Sequence, residues 1–391
     1  MNSIGERARA LNDKIVERRR LFHTCPEINL STVQTEAHIV EELKKLGVKD
    51  IKQGLAEHGV TALIEGGKPG KVLGLRSDMD GLNILEDTGL PFASKNGNMH
   101  ACGHDAHIAM LLGAAEILTE NKDNLKGTVK LIFQPGEETT YGAVAMLKDG
   151  VLENPKVDAI IALHTGGLWS PGKPGDICYR PGPLMASSDF FTITFTGKGG
   201  HGATPHLTVD PIAMAAQAFT ALQTIVSRET SPLDSAVVTI GAIHGGSAGN
   251  IIAPTCVLKG TYRALSVATR ERLGVRIKEL CEDIARGMRG SVEIEYAYGP
   301  PALNNDKEMT EKLRLAATEI VGAERVREID EPTMGAEDMA CYMEKIPGTF
   351  FYHPSFKSES AAPHHNPKFD IDESVLWIGS ATLAQFALSW Q

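Results

Sequence analysis

Short apolar runs alternate with helical stretches along the first half of the chain. The runs cover 60–66, 71–75, 128–133 and 157–163, and each has the length of a strand and is bounded by glycine, proline or charged residues. Helical stretches such as 107–120 lie between them. This alternation predicts an α/β sheet with helices on both of its faces.

The pattern changes between two proline-rich points, Pro-Gly-Pro at 181–183 and Pro-Pro at 300–301. Between them the predicted order is strand, helix, two strands, helix and strand. This β-α-β-β-α-β order is that of a ferredoxin-like unit. We therefore predict a discontinuous domain, residues 1–183 and 300–391, interrupted by an inserted domain of residues 184–299.

The first strand and the first helix of the inserted segment carry distinct patterns. Over 190–196, large apolar side chains alternate strictly with threonines, which predicts a strand with one buried face. Asp210 is placed to cap a helix that begins at Pro211. The apolar stripe predicted for this helix consists of Ile212, Ala215, Phe219, Leu222 and Val226.

Composition and charge narrow the class of protein. The chain has 391 residues, which suits two or three domains. Its formal net charge of −10, without a long basic run, makes nucleic-acid and anionic-membrane partners unexpected.

No apolar run approaches the roughly 18–20 residues of a membrane span, and the charged start lacks the apolar region of a signal peptide. The six scattered cysteines are typical of a reducing cytosol, so we expect a cytoplasmic protein.

Acidic residues and one histidine lie at the ends of three predicted strands. They are Asp78 and Asp80, Glu137 and Glu138, and His164. In an open α/β sheet the ligand crevice lies outside the carboxyl ends of the strands. We therefore expect these side chains to converge at one edge of the sheet.

A further group of candidates lies in the string HACGHDAH, residues 100–107. Cys102 and His104 are two residues apart in a predicted turn before a helix, so both can face the same way. Thiolate, imidazole and carboxylate together are ligands for Zn²⁺ and other divalent transition metals. For each histidine, the alternative to a metal ligand is a structural residue held by hydrogen bonds. For the two glutamates, the alternative is a place on a solvent-exposed face of the protein. The coincidence of these four segments, three at strand ends and one in a turn before a helix, favours a metal site.

Six strings carry a family resemblance: RSDMDGL, HACGHDAH, QPGEE, GKGGHGATPH, GAEDMACY and PHHNP. In this order they resemble the metal-dependent aminoacylase-like amidohydrolases, which include hippurate hydrolases and indoleacetyl-amino-acid hydrolases. The resemblance covers about residues 10–390. It implies a zinc-peptidase-like catalytic domain with a mixed sheet, and an inserted ferredoxin-like lid that often dimerises.

The resemblance also implies roles for individual residues. Glu137 is implied as the general base, Asp80 as the acid that supports the site, and His201 as the residue that polarises the scissile carbonyl. Asn250 and Arg263 correspond to substrate-binding positions. The ligands implied for two divalent ions per subunit, Zn²⁺ or Mn²⁺ by preference and Co²⁺ or Ni²⁺ as alternatives, are Cys102, His104, Glu138, His164 and His365.

Two details of this ligand set depend on neighbouring residues. His364 and His365 are adjacent, and the family pattern His-[Ser/Asn]-Pro selects His365. The wider superfamily usually has histidine at the position of Asp78, and His104 is expected to supply the missing imidazole. A Cys102 that solvent reaches in the metal-free protein would be sensitive to oxidation and alkylation.

The chain departs from the family at two points close to the expected pocket. It has Asp80-Gly-Leu-Asn83 where the family commonly has Asp-Ala-Leu-Pro, and Thr165-Gly166-Gly167 where an aromatic residue or proline is frequent. No expected ligand is lost. These departures therefore bear on substrate preference more than on reaction type.

The predicted function is hydrolysis of the amide bond of N-acyl-L-amino acids by a binuclear metal-dependent enzyme. The resemblance implies a homodimer or higher homo-oligomer formed through the lid. A dipeptidase or small-peptide carboxypeptidase with the same chemistry is the first alternative, and its pocket would have to hold a free amino group. A non-catalytic, metal-stabilised binding protein is the second. The presence of Glu137 and of five candidate ligands disfavours the second alternative.

Overall fold

A computed structural model describes residues 3–167, 172–358 and 361–391. The chain divides into two compact units. The first, here called the host unit, comprises Met1–Gly182, Asn304–Pro332 and Asp338–Gln391, and the second, the inserted unit, comprises Pro183–Leu303 and Thr333–Glu337. That the host unit is catalytic and the inserted unit a lid or dimer contact stays a prediction.

The described residues form strands and α-helices that we number in chain order. The strands are β1 Lys49–Leu55, β2 Gly59–Glu65, β3 Lys68–Asp78, β4 Lys126–Gln134, β5 Ala159–Gly166, β6 Ile177–Tyr179, β7 Gly182–Met185, β8 Asp189–Thr196, β9 Gly200–His201, β10 Ala236–Gly245, β11 Ile251–Ile252, β12 Thr255–Ala264, β13 Ser291–Tyr298, β14 Leu303–Asn305, β15 Val326–Glu328 and β16 Gly348–Pro354. The helices are α1 Ser3–Ala10, α2 Asn12–His23, α3 Val33–Lys45, α4 His104–Glu120, α5 Gly142–Lys148, α6 Pro211–Glu229, α7 Val267–Gly287, α8 Lys307–Val321, α9 Met339–Met343 and α10 Leu376–Ser389.

The host unit is built on an eight-stranded mixed sheet of order β1-β2-β4-β3-β5-β16-β6-β15. Its four central strands, β4, β3, β5 and β16, are mutually parallel. The strands β1 and β2 on one side and β6 on the other are joined by antiparallel pairings. The predicted α/β class with a mixed sheet is therefore confirmed, and the carboxyl ends of four parallel strands share one edge.

Helices cover the sheet of the host unit. Every residue of β5 is buried, which a strand achieves only when both faces of its sheet are covered. The helix α4 is buried over nearly its whole length and packs against α2 and α10, whereas α5 and α9 pack together as a separate pair. Among the described residues, no helix has the length and apolar character needed to cross a membrane.

The inserted unit contains a four-stranded antiparallel sheet of order β10-β12-β8-β13. Two helices, α6 and α7, complete the β-α-β-β-α-β sequence that the pattern predicts. In β8 the side chains of Phe191, Ile193 and Phe195 are buried, whereas the intervening threonines are partly or fully exposed. The period-two pattern therefore identifies the face of β8 that forms the core of this unit.

The helix α6 begins as predicted but buries a different stripe. The Asp210 carboxylate accepts hydrogen bonds from the backbone N–H groups of Ile212 and Ala213. However, Ile212 is 40% and Phe219 39% exposed. The predicted stripe was therefore wrong in part, because it followed the large side chains, whereas small residues allow the helix to approach the sheet closely. The inward positions are Pro211, Met214, Ala215, Ala218, Leu222 and Ile225.

Candidate metal centre

The carboxyl ends of β3, β4 and β5 and the start of α4 bring the predicted ligands of the host unit together. Ligand atoms of Cys102, His104 and Glu138 all lie within 4.8 Å of one another. The Sγ atom of Cys102 also lies 3.5 Å from Nε2 of His164. Two ligands of one tetrahedral zinc ion are separated by a similar distance, about 3.5 Å from typical Zn–S and Zn–N lengths. Cys102 is thus common to two groups of donors.

The orientation of His104 suits it to hold a cation. Its Nδ1 donates to the carbonyl oxygen of Asp80 at 2.9 Å, so Nε2 faces the centre. Burial acts to lower the pKa of His104, but the nearby carboxylates, led by Asp78, outweigh it and raise this pKa to about 10. Without a metal the ring therefore carries a proton, which a bound cation would replace.

Two buried polar atoms at the centre lack hydrogen-bond partners, which bears on whether the centre fits a metal. Nε2 of His104 and Oε1 of Glu138 are buried without a hydrogen-bond partner, and they lie 3.9 Å apart. Buried polar atoms are nearly always paired, and a bound ion is one of the recognised reasons for an exception. Since sulfur, nitrogen and oxygen donors of the types preferred by Zn²⁺ surround these atoms, the residues fit a divalent metal.

His164 and His365 complete the predicted ligand set. Nδ1 of His164 donates to its neighbour's carbonyl, that of Thr165, at 2.8 Å, which leaves Nε2 as the nitrogen facing Cys102. Burial and the neighbouring histidines hold the pKa of His164 well below its usual value, so the ring is neutral and able to bind a cation. Nε2 of His365 lies 3.3 Å from Oε1 of Glu138, and this contact raises the pKa of His365.

His364 lies beside the same thiol, although the family pattern selects its neighbour. Its Nδ1 is 3.6 Å from Sγ of Cys102, and its ring contacts that of His164 with a centroid distance of 5.2 Å. Burial and nearby histidines lower the pKa of His364 to about 3. The two adjacent histidines therefore both reach the centre, one toward Cys102 and the other toward Glu138.

The thiol of Cys102 is less accessible than the sequence suggests. Cys102 is 7% exposed, and burial together with Glu138 and Glu137 raises its pKa well above the usual value. Alkylating reagents attack the thiolate, and they need access to it. The expected thiol sensitivity of a solvent-reachable Cys102 is therefore not supported.

Asp80 holds the turn that carries the two glutamates. Its carboxylate oxygens accept hydrogen bonds from the backbone N–H groups of Glu137, at 3.0 Å, and Glu138, at 3.1 Å. Its own carbonyl accepts from His104. Asp80 thus fixes one candidate ligand and the backbone of the candidate base at the same time, which agrees with a supporting role.

Asp78 and His107 form a buried support beneath the ligands. Asp78 accepts from Nδ1 of His107 at 2.6 Å and from Nη1 of Arg76 at 3.0 Å. Nε2 of His107 accepts from the backbone N–H of Thr165 at 2.9 Å, so both of its nitrogens are engaged. The ring of His107 stacks on that of His104 at 5.3 Å. These hydrogen bonds give His107 the structural role that is the alternative for each histidine of this string.

Asp338 is a part of the site region that sequence reasoning missed. Its carboxylate accepts from Arg76, from Gln134 and from the backbone N–H of Ala143, and one of its oxygens lies within 4.8 Å of one from Glu137. The string GAEDMACY, one of the six that carry the family resemblance, contains Asp338 and was the sequence feature that could have indicated it.

The predicted residues of the inserted unit fall at two places. His201 in β9 is paired with Ile251 in β11, and the N–H of Gly202 donates to the carbonyl of Asn250 at 2.8 Å. His201 and Asn250 are therefore neighbours at the end of the unit where β12 begins. Arg263 lies near the other end of β12. Along this strand Thr255 and Arg263 are about 27 Å apart, because an antiparallel strand rises roughly 3.4 Å per residue. One inserted unit does not bring Arg263 together with the other two.

Comparisons with known proteins identify the family to which the chain belongs. The model of Peptidase family M20/M25/M40 matches residues 74–389. The chain is 41% identical to N-acetyl-L-cysteine deacetylase of Bacillus subtilis (strain 168) over 368 residues, 94% of this chain and 85% of that protein. It is 38% identical to IAA-amino acid hydrolase ILR1-like 4 of Arabidopsis thaliana over 384 residues, 96% of this chain and 85% of that protein.

A solved structure shows the same fold. The YXEP protein of Bacillus subtilis, a dinuclear metal binding peptidase from the M20 family, superimposes with a TM-score of 0.83 and 34% sequence identity, covering 97% of this chain and 98% of that one. The chain therefore belongs to Peptidase family M20/M25/M40, in its metal-dependent, aminoacylase-like amidohydrolase branch.

Proposed function

We propose that this amidohydrolase cleaves the amide bond of N-acyl-L-amino acids with two divalent cations and Glu137 as the general base. The observation that carries the proposal is the convergence of Cys102, His104 and Glu138, in which two buried ligand atoms, Nε2 of His104 and Oε1 of Glu138, make no hydrogen bond of good geometry. The deacetylase and the indoleacetyl-amino-acid hydrolase to which the chain is similar support the substrate class.

Five residues would hold the cations: Cys102, His104, Glu138, His164 and His365. Two cations held by these residues would lower the pKa of a bound water toward about 7 and would polarise the scissile carbonyl. A thiolate together with imidazoles favours Zn²⁺, and the carboxylate also admits Mn²⁺, Co²⁺ or Ni²⁺. The dinuclear YXEP protein supports a count of two.

Glu137 would move the proton. It is adjacent to Glu138 but outside the proposed ligand set, so its carboxylate can accept a proton from the attacking water. The water oxygen bonds to the carbonyl carbon, the C–N bond breaks, and Glu137 returns the proton to the amine nitrogen. The products are a carboxylate and a free amino acid.

His201 has the tautomer that an oxyanion donor needs. Its Nδ1 accepts a hydrogen bond from the backbone N–H of Ala203 at 3.0 Å, so in the neutral ring the proton resides on Nε2. We propose that this Nε2–H stabilises the developing negative charge on the carbonyl oxygen. Arg263 would bind the substrate α-carboxylate, because a guanidinium matches a carboxylate in shape and charge, and Asn250 would add a polar contact.

The separation of these residues supports a homodimer through the inserted unit. An N-acyl amino acid is much shorter than β12, so Arg263 and His201 can contact one substrate only if they come from two chains. The cytosolic location stays a prediction. It is supported by the scattered positions of the six cysteines in the sequence, a pattern typical of a reducing compartment.

Mixing two inactive variants tests the dimer. In a heterodimer of His201→Ala and Arg263→Ala chains, one site would hold both intact residues and the other neither. Each variant alone should be nearly inactive, whereas random mixing after subunit exchange should restore roughly a quarter of wild-type kcat, since half of the dimers are mixed. Recovery is measured as kcat after mixing, with each variant mixed with itself as control. A mixture as inactive as its components would contradict the shared site.

A substrate panel tests the proposed function itself. The metal-free protein is reloaded with each divalent metal and given N-acetyl and N-benzoyl amino acids and the corresponding dipeptides. We expect the N-acyl compounds to have kcat/KM at least about 10-fold above the dipeptides, because moving the charged ammonium group of a dipeptide out of water costs desolvation energy that a neutral N-acyl group does not cost. Preference for dipeptides would favour the peptidase alternative. Two bound metals without any hydrolysis would favour the binding protein.

A further inference from the structure

His364 touches the candidate centre without belonging to the proposed ligand set. Its Nδ1 lies 3.6 Å from Sγ of Cys102, and its Nε2 lies 3.2 Å from the backbone nitrogen of Gly167. On its other side, the ring of Phe369 packs against it with a centroid distance of 4.6 Å. Both ring nitrogens of His364 therefore have defined partners.

The partner of Nε2 determines where the imidazole proton is. The backbone N–H of Gly167 can only donate, so Nε2 must be an acceptor and cannot carry a hydrogen. In a neutral imidazole the proton then resides on Nδ1, the nitrogen that faces Cys102. A nitrogen that bears a hydrogen has no lone pair to offer a cation, so this contact is a hydrogen bond.

We propose that His364 is a positioning residue that donates its Nδ1–H to the Cys102 thiolate and is not itself a metal ligand. The proposal rests on the proposed function, because it takes Cys102 as the thiolate ligand of that site. A hydrogen bond to an ionised acceptor is stronger than a neutral one. Partners that hydrogen-bond to a metal's ligands fix the ligand's orientation and tune its donor strength.

The imidazole of His364 has room at this position because residue 166 is glycine and has no side chain. A Cβ atom added at Gly166 would lie 2.2 Å from Nε2 of His364, and Gly166 has a φ of +103°, which side chains rarely tolerate. The sequence Thr165-Gly166-Gly167 is the second departure from the family pattern. We infer that this departure and His364 belong together, because a side chain at 166 and the imidazole at 364 would occupy the same space.

The experiment uses the Co²⁺-substituted full-length protein and reads the sulfur-to-cobalt charge-transfer band together with the Kd for Co²⁺ from chelator competition. His364→Phe keeps a packed ring but has no donor. His364→Asn places an amide N–H near the position of Nδ1 and should rescue the hydrogen bond. We expect His364→Phe to raise Kd by about 10–100-fold and to move the band to lower energy, with two equivalents still bound at saturation. His364→Asn should stay close to wild type.

Two glycine variants provide a matched control. Gly166→Ala should reproduce the His364→Phe result, because its new methyl group displaces the imidazole. Gly167→Ala keeps the backbone N–H, and its Cβ would meet Phe356 at an ordinary 3.4 Å. It should therefore retain the wild-type band and Kd.

Three results would overturn the proposal in different ways. Loss of one metal equivalent in both His364 variants would make His364 a ligand. An unchanged band and Kd in His364→Phe would mean that the Nδ1–H serves another acceptor, such as the nearby Cys102 carbonyl. A wild-type protein that binds two Co²⁺ ions and hydrolyses N-acyl amino acids but lacks the sulfur band would exclude Cys102 as a ligand while leaving the proposed function intact.

Discussion

Replacing Glu137 with glutamine should lower kcat by about 10³-fold, within the 10²–10⁴ range of general acid–base catalysis, while both metal ions stay bound. Glutamine has the size of glutamate but cannot accept the proton of the attacking water. The backbone hydrogen bond from residue 137 to Asp80 does not depend on the side chain, so the turn should keep its conformation.

Glu138→Gln is the matched control, because the two carboxylates are adjacent in the chain and have different proposed roles. Its Oε1 lies near both His104 and His365, so this variant should lose metal affinity as well as activity. Elemental analysis and the pH dependence of kcat distinguish the two variants. If Glu137→Gln kept most of its activity, or lost a metal equivalent, the assignment of the base would be wrong.

Replacing Cys102 with serine should have the second largest effect. Cys102 lies beside two sets of proposed ligands, His104 with Glu138 on one side and His164 on the other. Removal of its sulfur therefore weakens both cation positions at once, and a hydroxyl is a much poorer ligand than a thiolate for Zn²⁺. We expect fewer than two tightly bound ions per chain and a loss of kcat of at least about 10²-fold.

Cys25→Ser provides the control for this substitution. The thiol of Cys25 is also buried, but it lies beside the carbonyls at the end of α2, 3.6 Å from that of Phe22, and a serine hydroxyl can make the same contact. Metal content and kcat of Cys25→Ser should equal those of wild type. If the Cys102→Ser protein had full metal content and normal turnover, the Cys102 thiolate would not be a ligand of the centre.

Much of this protein could be predicted from local sequence. The apolar runs that form β2, β3, β4 and β5 and the alternation in β8 depend on side chains a few residues apart, and these patterns give the strands without knowledge of the tertiary fold. The rule that ligands gather at the carboxyl ends of parallel strands then predicts that Asp80, Glu138 and His164 meet. The host unit contains this arrangement.

Other features depended on residues far apart in the chain. The face of α6 that packs on the sheet is set by how closely Ala218 lets the helix approach. A buried face predicted from hydrophobicity alone wrongly includes large exposed residues such as Phe219. The distance between Arg263 and His201 follows from strand pairing, which their order in the sequence does not reveal.

The sequence by itself determined the order of the elements, the edge of the sheet where the donors gather and the donor types, because these follow from local periodicity and residue chemistry. Only the tertiary structure decided which nitrogen of each histidine faces the centre. The carbonyl of Asp80 assigns the orientation of His104, and the N–H of Gly167 assigns that of His364; both groups are distant in the chain from the ring they orient. The carbonyl of Thr165, which orients His164, is that of its chain neighbour. A ring nitrogen can hold a cation only where such a partner leaves its lone pair free.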